Sequence, residues 1–599
     1  MISIFYPGVQ RASHWFLLAR LTFARLPHFL SIPLFVIWRS FTRRKSLDQF
    51  FELPSNRYRS LFLFLTRFKF FAETAQFALN SAAVGSAVCD IVEYGPDAAM
   101  IKADDRALDA VKILLHHQEF NGPRMQARYA SAVEDETIYE DDGRLKSLVG
   151  SLPQMNKRQR AVLGGWLFFA LRKLLLILYH DGRGEKVPAV GQRSLDLQMQ
   201  LRSDPPRPSK ELQGILDARG IDYRDLLLLS PDWAALIGHI GHLDVHLRMR
   251  DMGWWRGAPL LATYGGKIAN RPFLSLLADR CPILVLEEDL NRDAWVELTA
   301  LTKYFGVSHQ VWGTEQRPMG YWNDWGSAAL QAWTAQGRGY PMLDAYDRKF
   351  QHSDEAQTAM ANMRTHFGMT ASDRYVCLHM RDANTRGEKD GVGETVRNAG
   401  FANYLATVKH ITGQGLRVIR MGGPNVPELP ELPGVIDYAR SAFRSPLMDL
   451  HLVRNAQYFV GTTSGFAYVA TSLDVPTVMV NCISSIGLLW TERTRFALKP
   501  VRTTSGRLLS QRELTSDRWR WSFPTYESLK AAGLELSESS SDEILETVKE
   551  VELLAVGQPV QSPLIDTWRA SLTMPGFFGA SLPSSYFLEK HQREFLAYR

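Results

Sequence analysis

The sequence lacks several features that would assign it to a familiar class of protein. Four cysteines occur among 599 residues, and no two of them form a Cys-x-x-Cys pair. This argues against a zinc ribbon or a disulfide framework and favours a reducing compartment. No Gly-x-Gly-x-x-Gly follows a strand-like run, which disfavours a dinucleotide-dependent oxidoreductase. No Asp-x-Asp stands at the end of such a run, so we expect no essential metal.

Charge of one sign and long apolar runs are also scarce. The formal charge of +6 is small for this length, and no stripe of basic and aromatic residues resembles a nucleic-acid groove, so no nucleic-acid partner is expected. The longest uninterrupted apolar piece is well short of the roughly 20 residues that a spanning helix needs. A hydrophobic content of 45% and a charged content of 22% are ordinary for a globular protein. The length predicts two or three domains.

The N-terminal segment 1–55 combines apolar bulk with aromatic and basic ends. Residues 14–23 and 26–38 are strongly apolar, Trp15 and Trp38 lie near the ends of this stretch, and four basic residues follow between positions 39 and 45. This arrangement is typical of a segment that lies in the interface of an anionic leaflet. An amphipathic helix packed on the protein itself and a true membrane span are the alternatives. No small-residue cleavage site follows, so a cleaved signal peptide is not expected.

The remaining chain predicts an α/β fold behind a helical region. Residues 56–205 predict a helical domain, and the proline-rich stretch that follows predicts a linker. Strand-like and helix-like segments then alternate over 230–365 and 370–560, which predicts a pair of Rossmann-like, doubly wound domains. Residues 561–599 predict a helical tail that crosses back to the first of these domains.

Within the first Rossmann-like series and just after it, local patterns predict a strand, a turn and an irregular connection. Residues 232–237 predict a strand, and residues 238–243 predict a glycine-rich turn. Residues 310–350 predict an irregular connection between the domains.

Two apolar runs in the second series stop abruptly on polar residues. The first ends on His379, Arg381 and Asp382, and the second ends on Gly461, Thr462, Thr463, Ser464 and Gly465. A helix-like segment follows the second run, and the first N–H groups of a helix form an anion site because they lack partners and carry positive dipole charge. A guanidinium such as that of Arg381 holds a diphosphate through two hydrogen bonds. We predict that the two runs bind the diphosphate of a nucleotide-sugar, with Arg420 and Gly422 at a neighbouring strand end.

Three histidines, His239, His242 and His246, have spacings of three and four residues. A metal site is disfavoured because His239 and His242 are predicted in a glycine turn rather than on one helix face. Gly241 and His242 are predicted at the cleft, with a purely structural turn as the alternative. The general base is left open among Asp382, Asp244 and His242.

The motifs resemble those of a family of bacterial glycosyltransferases from surface-polysaccharide gene clusters. The elements that carry the resemblance are residues 240–243, Asn270 and Arg271, 379–382, Arg397 and Asn398, Tyr404, 418–422, Asp437 and Tyr438, 461–465 and the tail 581–590. Thr463 stands where asparagine is expected in the family. The His-x-Arg element is more distantly similar to the nucleotide-diphosphate-binding motif of O-fucosyltransferases, which have the two-domain GT-B fold.

This resemblance implies a GT-B-like, metal-independent glycosyltransferase. It would move a sugar from a nucleotide-diphosphate-sugar to a growing cell-surface polysaccharide, and the N-terminal helices would bring it to a lipid-linked acceptor at the cytoplasmic face of the inner membrane. The donor is a substrate, so no cofactor is expected, and the membrane surface and a glycan acceptor are the expected partners. Catalytic roles are implied for Arg381, Asp382 and His242, and acceptor-side or cleft positions for Gly241, His242, Asn270, Arg397 and Asn398. A nucleotide-sugar epimerase and a non-catalytic scaffold of a polysaccharide assembly complex are the alternatives.

Overall fold

The computed structural model divides the chain into two compact units, 1–205 with 317–320 and 206–316 with 321–599. The structure describes residues 206–255, 257–307, 313–314, 317–318, 323–381, 395–483, 490–514, 526–558, 560, 562–572 and 578–597. The predicted membrane-interface segment 1–55, the predicted helical domain 56–205 and Asp382 lie outside the described residues. In the described part, no helix has both the length and the apolar character needed to cross a membrane.

A four-stranded parallel sheet begins the second unit. Its strands are β1 (Leu226–Leu229), β2 (Ala258–Thr263), β3 (Ile283–Val285) and β4 (Gly306–Val307). They lie in the order β3-β2-β1-β4. The accompanying helices are α1 (Lys210–Asp217), α2 (Ile237–Asp251), α3 (Arg271–Ser275), α4 (Leu286–Asp289) and α5 (Arg292–Phe305). Leucines from α1, β1, β2, β3 and α5 share one buried core, as expected for strands covered by helices.

Two local predictions for this sheet are wrong. A strand was predicted over residues 232–237, but the strand is the continuous run Leu226–Leu229, and Pro231–Trp233 is a 3-10 turn. The sheet therefore begins before the predicted boundary at 230. The predicted glycine-rich turn 238–243 is instead part of α2. This helix buries every residue from Ile240 to Met249. Tertiary packing therefore outweighs the low helix propensity of its glycines.

The connection between the sheets is helical. Two short strands, β5 (Gly313–Thr314) and β6 (Arg317–Pro318), precede α6 (Asn323–Ala335), α7 (Pro341–Lys349) and α8 (Asp354–His366). The prediction of an irregular segment over 310–350 is wrong for the helical residues, because their aromatic side chains are buried on helix faces. Trp333 and Tyr346 are both buried, and Pro341 occupies the first turn of its helix, where proline is tolerated.

A seven-stranded parallel sheet forms the second half of this unit. Its first six strands are β7 (Tyr375–His379), β8 (Arg417–Met421), β9 (Val435–Ile436), β10 (Phe459–Gly461), β11 (Thr477–Cys482) and β12 (Thr494–Leu498). An antiparallel pair, β13 (Val501–Thr503) and β14 (Leu534–Leu536), stands apart from it, and β15 (Leu582–Pro583) completes it. The order is β15-β12-β11-β10-β7-β8-β9. The five predicted strands from β7 to β11 are confirmed.

Helices cover this sheet. They are α9 (Leu405–Gly413), α10 (Pro446–Arg454), α11 (Gly465–Ser472), α12 (Gln511–Leu514), α13 (Tyr526–Ala531), α14 (Ser541–Ala555), α15 (Ile565–Ser571) and α16 (Ser585–Phe595). The helices predicted at the positions of α9, α10 and α11 are confirmed. The predicted α/β class is confirmed as a mixed α/β fold with two parallel sheets.

The described part of the tail belongs to the second sheet. Leu582 of β15 pairs with Arg495 of β12, and His591 of α16 makes a 2.6 Å contact with the Glu543 carboxylate of α14. The prediction that the tail crosses back to the first Rossmann-like domain is wrong for these residues. A buried carboxylate requires a partner, and the tail supplies one to α14.

Candidate functional site

The second sheet contains a topological switch point between β7 and β10. Strands β8 and β9 extend the sheet on one side of β7, whereas β10, β11 and β12 extend it on the other. In doubly wound folds, ligands bind in the crevice outside the carboxyl ends of the strands at such a point. His379 of β7 is in register with Gly461 of β10. The two polar stretches singled out in the sequence are therefore neighbours at this crevice.

Side-chain hydrogen bonds join the ends of β7 and β10. The Arg381 main-chain N–H donates to the Thr462 hydroxyl at 3.2 Å, and the Ser464 hydroxyl lies 3.1 Å from His379 Nδ1. His379 also stacks on Phe466 of α11, with ring centroids 5.0 Å apart. The loop between β10 and α11 is thus held against the residues that follow β7.

The electrostatics of this corner are cationic. Burial, followed by the positive charges of Arg381 and Arg420, lowers the pKa of His379 to about 3. The imidazole is therefore neutral at physiological pH. The charge of Arg381 therefore acts on the same ring that contacts the Ser464 hydroxyl. Arg381 itself is only 5% exposed, so its charge acts in a partly desolvated environment.

Two helix N-termini adjoin at the same place. Helices α2 and α11 follow β1 and β10, and neither N-cap residue, Leu236 nor Ser464, makes a side-chain capping hydrogen bond. A Cβ added to Gly465 would lie 2.9 Å from the Gly238 main-chain nitrogen. The first turns of both helices therefore touch. Their leading N–H groups carry partial positive charge, so an anion in the crevice meets favourable dipoles from both sheets.

The contact between α2 and α11 continues beyond their first turns. A Cβ added to Gly241 would lie 2.4 Å from the Tyr468 Cβ, and the His242 ring packs edge-on against the Tyr468 ring at 4.4 Å. His242 is 9% exposed, and burial, together with His239, holds its pKa well below the ordinary histidine value. A general base must become protonated, so this environment disfavours His242 in that role. Gly241 and His242 instead pack the two helices together.

The other residues of α2 are engaged in packing and ion pairs. Asp244 is 1% exposed and contacts Arg248 at 2.8 Å and Arg280 at 2.7 Å, which excludes it as a free general base. His246 lies between the rings of Trp233 and Trp255. The described residues contain no group of three ligating side chains that could hold a metal ion.

Arg420, one of the predicted site residues, makes its contacts with other residues of the protein. Arg420 pairs with Asp437 at 3.2 Å and donates to the Pro427 carbonyl at 2.6 Å. These contacts order the loop that begins at Gly422, whose φ of 149° favours glycine. Arg420 therefore orients this loop and contributes charge to the crevice.

Asn270 joins the two halves of the unit. Its side-chain oxygen accepts the Phe273 N–H at 2.8 Å and so caps α3, while its amide donates to the Pro446 carbonyl at 3.1 Å. Both ends of the Asn270 amide are thus used in linking α3 to α10.

Arg397 and Asn398 belong to a strap, residues 395–400, at the carboxyl edge of the second sheet. The Ala399 N–H donates to the Arg381 carbonyl at 3.1 Å, and the Asn398 carbonyl accepts a 2.6 Å hydrogen bond from the Lys499 ammonium. Farther along, the Gly400 N–H donates to the Glu538 carboxylate at 3.1 Å. The strap therefore connects residues that follow β7 with residues that follow β12.

Sequence reasoning missed two polar residues at these edges. Lys499 immediately follows β12, and the strand-end pattern that singled out Arg381 would also have found it. Asp232 lies in the 3-10 turn after β1, and its carbonyl oxygen is 2.6 Å from His239 Nδ1. It was missed because its segment was predicted as a strand.

No protein-family model matches the chain, and no curated protein matches it. Solved glycosyltransferase structures do match. A family 9 glycosyl transferase from Veillonella parvula DSM 2008 is 8% identical, with 46% of this chain and 86% of that chain covered and a TM-score of 0.28. The iron-containing dodecameric glycosyltransferase TibC from enterotoxigenic E. coli H10407 is 14% identical, with 46% and 62% covered and a TM-score of 0.27. E. coli heptosyltransferase WaaC with ADP is 10% identical, with 46% and 93% covered and a TM-score of 0.23.

This chain thus covers less than two thirds of TibC. Similarity at these identities and TM-scores does not by itself assign an activity. The more distant similarity of the His-x-Arg element to O-fucosyltransferases stays a prediction.

Proposed function

We propose that the protein is a glycosyltransferase that uses a nucleotide-diphosphate-sugar. The observation that carries this proposal is the hydrogen bond from the Arg381 main chain to Thr462, which joins Arg381 to the hydroxyl-lined start of α11 at the switch point between β7 and β10. A permanent cation, hydroxyl groups and leading helix N–H groups are three kinds of phosphate ligand. Their convergence suits a ligand with more than one phosphate, which a nucleotide-sugar supplies.

The same groups can contribute to the chemistry of transfer. As the glycosidic bond to the donor breaks, negative charge grows on the departing nucleotide diphosphate. Because this negative charge is larger in the transition state than in the ground state, the positive charge of Arg381 would stabilise the transition state more. The Ser464 hydroxyl and the first N–H groups of α11 would hold the phosphate oxygens in place. These groups supply positive charge without a metal, and no further cofactor is part of the proposal.

The general base is proposed from the remaining carboxylates. Asp244 is fully engaged in ion pairs, and the surroundings of His242 penalise its protonated form. Asp382, which follows Arg381 in the chain, therefore stays a candidate. Asp232 is a second candidate, because its turn leads into the α2 start that touches Gly465. Either carboxylate would take the acceptor proton if it reaches the attacking hydroxyl.

The acceptor and location are proposed from the sequence. The apolar and basic segment 1–55 suits attachment to an anionic membrane surface, and the motif resemblance favours a lipid-linked surface polysaccharide as acceptor. We therefore place the proposed activity at the cytoplasmic face of the inner membrane. There the enzyme would meet the lipid-linked glycan and the nucleotide-sugar.

Ligand-induced stabilisation tests the diphosphate site. Full-length protein would be heated with ADP, GDP, UDP and CDP, since a ligand at 100 times its dissociation constant stabilises by about 2.7 kcal/mol. Arg381→Ala should lower the affinity of the best ligand by roughly 10- to 150-fold, the equivalent of losing charged hydrogen bonds. The matched control Arg593→Ala removes an exposed arginine from α16 and should bind normally. Equal affinity in Arg381→Ala and the control would refute the site.

Product analysis separates transfer from the alternatives. A transferase should move the sugar to an added lipid-linked glycan in a reaction that Arg381→Ala slows. An epimerase would convert the nucleotide-sugar to its isomer with no acceptor present. A non-catalytic scaffold has no need of diphosphate ligands and would show no nucleotide-dependent stabilisation.

A further inference from the structure

Lys499 is a buried cation at the carboxyl edge of the second sheet. It directly follows β12, and its main-chain N–H donates to the Cys482 carbonyl at the end of β11 at 2.7 Å. Arg381 and Ser464 follow β7 and β10 at the same edge. The residue is therefore on the side of the sheet that carries the proposed donor site.

The surroundings of Lys499 do not neutralise its charge by a direct ion pair. The residue is 2% exposed, and its ammonium donates to the Asn398 carbonyl at 2.6 Å. Among the described residues no carboxylate lies within ion-pair distance of it. A buried ammonium without a paired anion is costly, so its retention calls for a compensating role.

Two short chains of contacts join Lys499 to the diphosphate site. Through the strap, it holds Asn398, whose neighbour Ala399 donates to the Arg381 carbonyl at 3.1 Å. Its main-chain N–H also holds the Cys482 carbonyl at the end of β11, the strand beside β10. Lys499 thus supports the residues that follow β7 and the end of the strand next to β10.

We propose that Lys499 is a positioning residue of the donor site, which holds the strap so that Arg381 is directed at the diphosphate and adds its own charge to the field there. This inference rests on the proposed function, since it concerns how a nucleotide diphosphate is held. It also explains why Arg397 and Asn398 lie with the second sheet. The strap they belong to is part of the donor side.

The Lys499 ammonium loses its proton in a pH range in which the Cys482 thiol and the Tyr404 phenol keep theirs. Burial lowers the pKa of Lys499, while the Glu538 carboxylate and, to a smaller extent, Cys482 oppose that shift. Burial raises the pKa of the Cys482 thiol to about 12, and it raises the pKa of the nearby Tyr404 phenol as well. The ammonium is therefore lost at a lower pH than for an ordinary lysine, with both neighbours still uncharged.

The test measures nucleotide affinity against pH in the full chain. The nucleoside diphosphate that stabilises the wild type most, among ADP, GDP, UDP and CDP, would be titrated by calorimetry between pH 7 and 10. Wild-type affinity should fall as the pH rises. Lys499→Met should bind about tenfold or more weakly at pH 7, as for a lost charged hydrogen bond, and should lack the alkaline fall. Lys499→Arg stays charged and should keep the affinity without that fall.

Each outcome decides the matter. If the wild type binds no nucleoside diphosphate, the proposed function fails and this inference fails with it. If the wild type binds and Lys499→Met matches its affinity and pH profile, the role of Lys499 is refuted while the function stands. A lower melting temperature with unchanged affinity would equally refute it, since that shows support of the fold alone. If Lys499→Met does not fold, Lys499→Arg provides the test. A fall in nucleotide affinity at alkaline pH that persists in this variant refutes the role of Lys499.

A matched control removes the same charge elsewhere. Lys409 is exposed on α9, one of the helices that cover the same sheet. Lys409→Met therefore removes one ammonium without changing the contacts of the strap. This variant should retain wild-type affinity and the alkaline fall. If it weakens binding as much as Lys499→Met does, net charge rather than position accounts for the effect.

Discussion

Replacing Gly241 by alanine tests whether close packing of α2 on α11 maintains the crevice. A Cβ at position 241 would lie 2.4 Å from the Tyr468 Cβ. Carbon atoms in contact are normally about 3.5–4.0 Å apart, so the helices would have to separate by about 1 Å or more. Because α11 begins at the proposed phosphate ligands, its displacement should impair both stability and nucleotide binding.

The magnitude follows from two opposing terms. Alanine in place of glycine within a helix gains roughly 0.5–1 kcal/mol of stability, and overpacking a well-filled contact costs roughly 1–3 kcal/mol. At Gly214 in α1, an added Cβ meets no atom within 4 Å, so only the gain should apply. Gly214→Ala should thus stabilise the protein, and Gly241→Ala should be less stable than the wild type by up to about 2.5 kcal/mol.

Urea unfolding of both variants checks this difference. Midpoints would be followed by tryptophan fluorescence, and melting temperatures would be compared with and without the best nucleoside diphosphate. Nucleotide-dependent stabilisation should shrink in Gly241→Ala and persist in Gly214→Ala. If Gly241→Ala proves as stable as Gly214→Ala and retains full nucleotide stabilisation, the close contact between α2 and α11 does not support the site.

Two further predictions concern pH and location. Burial raises the pKa of Asp449 to about 6, so the stability that its protonated form supports is present below about pH 4 and is lost as the pH rises through this value. Asp449→Asn should therefore stabilise the protein by about 1.4 kcal/mol more at pH 8 than at pH 5, and equal urea-midpoint changes at both pH values would contradict this. Deleting residues 1–50 should move the protein from the membrane fraction to the soluble fraction after cell lysis. Continued sedimentation with membranes would place the attachment elsewhere, for example at residues 57–71.

The sequence predicted the second sheet well because its strands end sharply. Strands β7 and β10 are short apolar runs followed by polar residues, and β8 is followed by two glycines; such local patterns are sufficient to locate a buried parallel strand. The adjacency of the Arg381 and Ser464 stretches then followed from the general behaviour of parallel sheets. The first sheet was harder, because the four leucines of β1 show no alternation and the glycines of α2 resemble a turn.

The amino-acid sequence by itself determined the α/β class and the strand ends that carry Arg381 and Ser464. Only the tertiary structure decided that Asp244 is committed to ion pairs, that Arg420 orders a neighbouring loop and that Lys499 reaches the strap. The physical reason is the range of the interactions. Strand and helix patterns arise between residues close in the chain, whereas the partner of a buried charge is 101 positions away for Lys499 and Asn398, and no local pattern specifies it.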